Sequence, residues 1–341
     1  MNFDLETPKP APTAAVAPEA NRSPISDLSY RNYDGPLKSR AIRWWIVALS
    51  TVRLAMKSPA YWILFAICGL RYILQCGAIY FTQVAMARIP DPTQADLLRE
   101  KFASHFFSAM CGNMNSFCLL LIALVVGAGS IAADNKSNAL MVYLSKPITK
   151  GDYLLGKWMG LFLSIYAAAL IPALLLYLFC IAGYRSDGFL KEDPWLILRI
   201  PFAAAVPAAF HASLLVGLSA WSKTPRSAGA AYVGLYFISY TIAGIILEKI
   251  FTTLPAGTLA LLTHSSVSGV IDGLVQQIYH IPALDIPWFS GGGGGGRERG
   301  DGRVAAEAPA LWYLLTLGIA LCAVGVAAAR ARIRAVEVVK G

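Results

Sequence analysis

FCLLLIALVVGAGSIAA (Phe117–Ala133), DNKSNALMVYLSKPITKGDYLLGK (Asp134–Lys157) and WMGLFLSIYAAALIPALLLYLFCIAG (Trp158–Gly183) follow one another without a break. The outer two are apolar runs of membrane-crossing character, for which about 20 helical residues are needed. The middle one is polar and carries four lysines. A lysine-bearing loop between two spans belongs on the cytoplasmic side. It is also too patterned for a tether. Ala139–Leu144 is mostly apolar and helix-compatible, and Lys146-Pro147 breaks it, because proline disfavours helix for the residue before it. Thr149 can then cap a helix that runs into the membrane through Tyr153, Leu154 and Leu155. The expectation is a short helix held at the inner face and joined closely to two spans, a lever for a cytoplasmic partner.

The rest of the chain repeats the apolar theme. Of its 341 residues 56% are hydrophobic and 14% charged, outside the range of an ordinary soluble domain. Six spans are expected: Ala60–Met86, Phe117–Ala133, Trp158–Gly183, Trp195–Trp221, Ala228–Leu247 and Ala310–Ala328. With the N-terminus inside, sixteen juxtamembrane Lys and Arg fall on the cytoplasmic side and nine outside. The last external loop is long and counts for less, but the bias puts both termini in the cytoplasm. The net charge of +9 is then a topology signal and an attraction to anionic membrane lipids. No other feature supports a nucleic-acid partner.

The fold class expected is an all-α membrane protein with six transmembrane helices preceded by an amphipathic interfacial helix. Residues 1–30, rich in Pro and Ala and without a signal-peptide core, read as a disordered cytoplasmic tail. Residues 37–57 read as the interfacial helix, with Ile42, Trp45, Leu49, Val52 and Met56 on one face. The competing reading is a frayed start of the first span. Lys57-Ser58-Pro59 argues against it, since proline is tolerated at a helix start and not inside one. The six-span domain covers residues 60–330, with the inner loop at 134–157 and an external loop at 248–309, and residues 331–341 form a cytoplasmic tail. Within the external loop, Leu254–Val275 is interrupted by polar residues and reads as a surface or re-entrant helix rather than a seventh span. Gly291–Arg303 is a flexible linker.

Few residues suggest chemistry. Gly151–Lys157 fits GxxxxGK, but Trp158 stands where a phosphate-binding loop needs Ser or Thr for magnesium, and the segment leads into a span. Lys157 is expected instead at the headgroup boundary as a snorkelling cation. The six cysteines show no CxxC and the four histidines no metal spacing. No metal and no cofactor is expected. Arg71 and His211 lie inside spans, where ionisable residues raise a functional question. Arg71 is read either as a buried functional charge or as an arginine facing the bundle interior or a subunit interface. His211 has no evident intramembrane partner and is read as a neutral imidazole bonded to a carbonyl.

Ile131–Trp158 resembles the first cytoplasmic loop of type-2 ABC exporter permeases, the membrane subunits driven by separate ATPases. That family closes its second span with an acidic residue, continues with a short coupling helix and a Leu-Ser-x-Pro element, and enters the third span through Gly-Lys. The similar positions are Asp134, Asn138–Leu144, Leu144-Ser145-Lys146-Pro147 and Gly156-Lys157. Where the family often has a second acidic residue and Gly-Thr, this chain has Asn135-Lys136-Ser137-Asn138. The resemblance implies a transport subunit with no ATPase site of its own, acting with a separate ABC ATPase and a second permease copy or paralogue in the cytoplasmic (inner) membrane. It implies that Asp134, Asn138, Leu140, Tyr143, Leu144, Ser145, Pro147 and Lys157 couple the ATPase to the spans. A non-transporting membrane scaffold of an envelope complex, needing no ATPase, is the alternative from another class.

Overall fold

The computed structural model describes residues 42–86, 113–137, 148–184, 194–246, 264–279 and 309–333, with 88, 106, 139, 258, 261 and 262 between them. All of these belong to one compact unit, Arg40–Gly341. The elements are helical: α1 Arg43–Lys57, α2 Pro59–Met86, α3 Asn113–Gly127, α4 Ala132–Lys136, α5 Lys150–Tyr184, α6 Leu196–Trp221, α7 Pro225–Tyr240, α8 Val267–Tyr279 and α9 Leu311–Arg332. Among the described residues, five stretches are long and apolar enough to cross a membrane: Pro59–Ala85, Asn115–Lys136, Lys150–Gly183, Leu196–Trp221 and Leu311–Arg332. The expected span Ala228–Leu247 is not among them. Its α-helix stops at Tyr240 and continues as a π-helical turn over Thr241–Ile246.

Helix α6 is the hub, packing on α5, α9, α8, α3 and α7. Its sequence explains this position. LILRIPFAAAVPAAFHASLLVGLSAW is apolar on nearly every side, as a helix packed on several neighbours requires, and its Ala, Ser and Gly let neighbouring backbones come close. At Gly217 an added Cβ would lie 2.6 Å from the carbonyl oxygen of Gly325 on α9, and at Gly325 one would lie 2.5 Å from that of Ser213. Backbone meets backbone at this crossing. Trp221 Nε1 donates to the Ala328 carbonyl at 2.9 Å and fixes the lower end of the same pair. After Trp221 the chain reverses through Thr224, which shares a capping box with Ser227 ahead of Pro225 and so starts α7.

The second span is broken. Helix α3 stops at Gly127, a turn follows, and α4 begins at Ala132. Ser219 of α6 stitches the break: its hydroxyl accepts from the amides of Ile131 (3.0 Å) and Ala132 (2.9 Å) and donates to the Ala128 carbonyl at 3.0 Å. Amides freed by a helix end inside apolar surroundings need such a partner.

Two readings of the helices are sharpened. Helix α1 ends at Lys57, Ser58 is extended, and α2 starts at Pro59, so α1 is separate and not a frayed start of α2. A different stripe packs on the bundle, and the apolar face read from the sequence is left outside it. Val47, Ala48, Thr51 and Ala55 are buried, while Ile42, Trp45 and Met56 stay exposed. Hydropathy weights the large residues, whereas the stripe that fits against α5 is the one of smaller side chains. At Gly156 and Gly160 of α5 a Cβ would come within 2.6 and 2.8 Å of the Trp44 and Ala48 carbonyl oxygens. The other reading concerns α8, the described part of the Leu254–Val275 reading. With 13 residues it is about 20 Å long, too short to cross. Val267, Val270, Ile271, Leu274 and Val275 are buried, so α8 packs into the bundle and is no surface helix.

Candidate coupling site

Asp134 sits in the first turn of α4, where the helix dipole favours an acid. Thr149 starts the opposing helix by capping: its hydroxyl accepts from the Asp152 amide at 3.1 Å, and Asp152 Oδ2 accepts from the Thr149 amide at 3.1 Å. One turn into α5, Tyr153 donates to Asp134 Oδ2 at 2.6 Å, and Lys157 Nζ lies 2.7 Å from the same oxygen. The ammonium is 5.7 Å from the Tyr153 ring centroid. Tyr153 is fully buried, Lys157 is 7% exposed, and the Asp134 side chain is 17% exposed. One carboxylate oxygen thus takes two donors from α5 and clasps α4 to it. Charge-assisted bonds of this length are the strong kind.

This geometry corrects the reading of Lys157 as a snorkelling cation. The ammonium points inward to Asp134, a carboxylate 23 residues earlier in the sequence that packing of α4 against α5 brings beside it. The GxxxxGK match, Gly151–Lys157, lies within the first turns of helix α5. Asn138, Leu140, Tyr143, Leu144, Ser145 and Pro147 lie outside the described residues.

Trp158, beside Lys157, reaches another helix. Its Nε1 donates to Ser213 Oγ of α6 at 2.9 Å, and its ring stacks on Phe162 at 5.3 Å. The contributions of Tyr153, Ser219 and Trp158 have no local sequence signature. That of Gly156 and Gly160 does: Gly-x-x-x-Gly is the spacing at which two helices approach closely.

Arg71 and His211 have their contacts elsewhere in the bundle. His211 is buried, and its Nδ1 lies 2.6 Å from the Tyr232 hydroxyl of α7, with the Tyr236 ring stacked at 6.3 Å. Its partner is therefore a phenol and not the expected carbonyl. Arg71 is half-buried, with its guanidinium 5.1 Å from the Tyr72 ring centroid. Among the described residues no three His, Cys, Asp or Glu are grouped to hold a metal.

The described helices thus form a bundle in which an acidic residue near the end of the second candidate span is clasped to the start of the third. The family model described as ABC-2 family transporter protein matches residues 12–278, and the chain belongs to that family. No curated protein matches the chain. Membership makes it a multi-pass membrane protein and the membrane component of an ABC transporter.

Proposed function

We propose that the chain is the permease subunit of an exporter in the cytoplasmic membrane, with six spans and both termini inside, driven by a separate ATPase that docks on Asn138–Leu144. The observation that carries this reading is the Asp134–Tyr153–Lys157 clasp, which lies at the two roots of that segment. A push on the segment reaches α4 and α5 together, because the clasp prevents the roots from yielding separately. From α5 it passes to α1 through Gly156 and Gly160 and to α6 through Trp158. A second copy or a paralogue completes the pathway, and ATP-driven approach of two ATPases moves both clasps. The chain itself binds no nucleotide.

The test is co-purification with the ATPase and stimulation of its turnover. Charged residues at Leu140 and Tyr143 abolish both while membrane insertion stays normal. Unchanged association and turnover would place docking elsewhere. Reporter fusions after Val142 and after Gly295 report opposite compartments, and matching compartments would refute the six-span topology.

A further inference from the structure

Asp272 of α8 is an acid with no counter-charge. Its hydrogen bond comes from Ser116 of α3, whose hydroxyl donates to Oδ1 at 2.9 Å. Among the described residues no Lys, Arg or His forms an ion pair with it. Its neighbours are nonetheless interior ones. Tyr72, Ser116, Ala203 and Pro207 are buried, and with Asp272 and Asn115 they line a cavity of about 20 Å³ where α2, α3, α5, α6 and α8 meet. Such a space holds one particle the size of a water molecule, which needs ~10–15 Å³. An ionised carboxylate so placed is strongly disfavoured without a compensating charge. Either a proton or a cation sits on it.

The walls favour the cation, because what they offer is lone pairs. A hydroxyl has one hydrogen and two lone pairs. Ser116 spends its hydrogen on Asp272, and Tyr72 donates its own to Asn115 Oδ1 at 3.4 Å. Pro207 has no N–H to give the Ala203 carbonyl one turn earlier, and both residues line the space. A water molecule needs donors as well as acceptors, whereas a cation is served by acceptors alone. Asp272 is the charged residue among those lining the cavity, and no Cys or His joins it there. Thiolate and imidazole suit the softer metals, and Ca²⁺ is held by several carboxylates and carbonyls. One carboxylate among neutral oxygens balances one positive charge.

We propose that this cavity is a binding site for a single small alkali-metal cation, held by the Asp272 carboxylate, the Ser116 hydroxyl oxygen and the neutral oxygens beside them. The ion enters as the carboxyl releases its proton to solvent, so the charge of the site is unchanged by the exchange. The titratable groups around Asp272 are phenols: Tyr72 from α2, Tyr236 from α7 and Tyr279 from α8. His264 packs on the adjoining residue, Gly273. The bound ion ties α8 to α3, and the site stands independently of the exporter reading.

The experiment measures equilibrium binding of radioactive sodium to the full chain in nanodiscs of zwitterionic lipid, with N-methylglucamine holding the ionic strength constant. At mildly alkaline pH the wild-type chain takes up one sodium ion saturably, and uptake is lost as the pH falls and Asp272 regains its proton. Asp272→Asn keeps the shape, removes the charge and abolishes binding, with helicity measured to verify the fold. Ser116→Ala weakens binding about tenfold. Sodium in place of N-methylglucamine raises the unfolding midpoint of the wild type and leaves that of Asp272→Asn unchanged. Absence of saturable binding, binding indifferent to pH, or binding that survives Asp272→Asn overturns the proposal. Wild-type unfolding that responds to pH but not to sodium also overturns it, since the cavity then holds water beside a protonated acid.

Discussion

Replacing Lys157 with Met leaves Asp134 with a single donor, Tyr153, in a position only 17% exposed. Removing one partner of a buried ion pair costs about 3–5 kcal/mol because the other charge stays desolvated. The partial exposure of Asp134 places this case at the lower end, about 3 kcal/mol. Asp134→Asn takes the counter-charge from the Lys157 ammonium, the deeper of the two groups, and costs at least as much. Tyr153→Phe removes one bond to a charged acceptor while the pair survives, about 1.5 kcal/mol. The double variant Asp134→Asn, Lys157→Met costs less than the sum of its parts by roughly 1–3 kcal/mol, the signature of groups that act as a unit. Lys157→Arg separates the inward pair from a snorkelling lysine. A snorkelling cation tolerates the change, whereas a planar fork in the space between Asp134 and the Tyr153 ring overfills it, at a cost of about 1–3 kcal/mol. The assay is reversible unfolding in mixed micelles, followed by circular dichroism as denaturing detergent is raised. Single-variant losses below about 1 kcal/mol, or strict additivity in the double variant, would refute the clasp.

Three other perturbations test the packing. Tyr232→Phe leaves His211 Nδ1 without its buried partner and destabilises by about 1–3 kcal/mol, while His211→Phe with Tyr232→Phe recovers most of that loss in the same unfolding assay. Gly217→Ala drives a Cβ to 2.6 Å from the backbone of α9 and costs about 1–3 kcal/mol, whereas Gly234→Ala, with nothing within 4 Å of its Cβ, is neutral or stabilises by up to about 1 kcal/mol. Burial pushes the Asp272 carboxyl on α8 up from 3.8 to about 7, against the lowering effect of its hydrogen bond with Ser116. The folded state therefore holds this proton more tightly than the unfolded one. The stabilisation is complete below about pH 4 and is lost as pH rises to about 7. Asp272→Asn abolishes that part of the pH slope in unfolding titrations, and an unchanged slope would refute the assignment.

The sequence made five of the six expected membrane-crossing elements legible because their signal is local. Apolar runs, the Lys57-Ser58-Pro59 break and the Thr149 cap each depend on neighbours within a few residues. Packing faces were less legible. In hydrocarbon surroundings a lipid-facing Leu and a buried Leu satisfy the same preference, so hydropathy alone marked the outward stripe of α1 and not the one packed on α5, and it gave no hint that α6 sits at the centre. Partners drawn from different helices were invisible for the same reason. Nothing near His211 announces Tyr232, nothing near the α3–α4 break announces Ser219, and Lys157 was assigned to the headgroups because Asp134 is near only after folding.

Five consecutive residues of α5, Gly156-Lys157-Trp158-Met159-Gly160, show how much can be compressed into one helical turn. Successive residues are about 100° apart around a helix, so Gly156 and Gly160 share a side, Lys157 points about a quarter-turn away, and Trp158 points to the far side. Each side meets a different element: the glycines admit the α1 backbone, Lys157 holds Asp134 of α4, and Trp158 is bonded to Ser213 of α6. A helix held on one side can roll about that contact. Held on three, it can move only by carrying its neighbours, and those contacts are of unlike kinds: backbone packing, an ion pair and an indole hydrogen bond. Loosening one leaves two, so single variants here weaken transmission by degrees. A Gly160→Ala, Lys157→Met pair, which releases two sides at once, lets α5 move independently of α1 and α4.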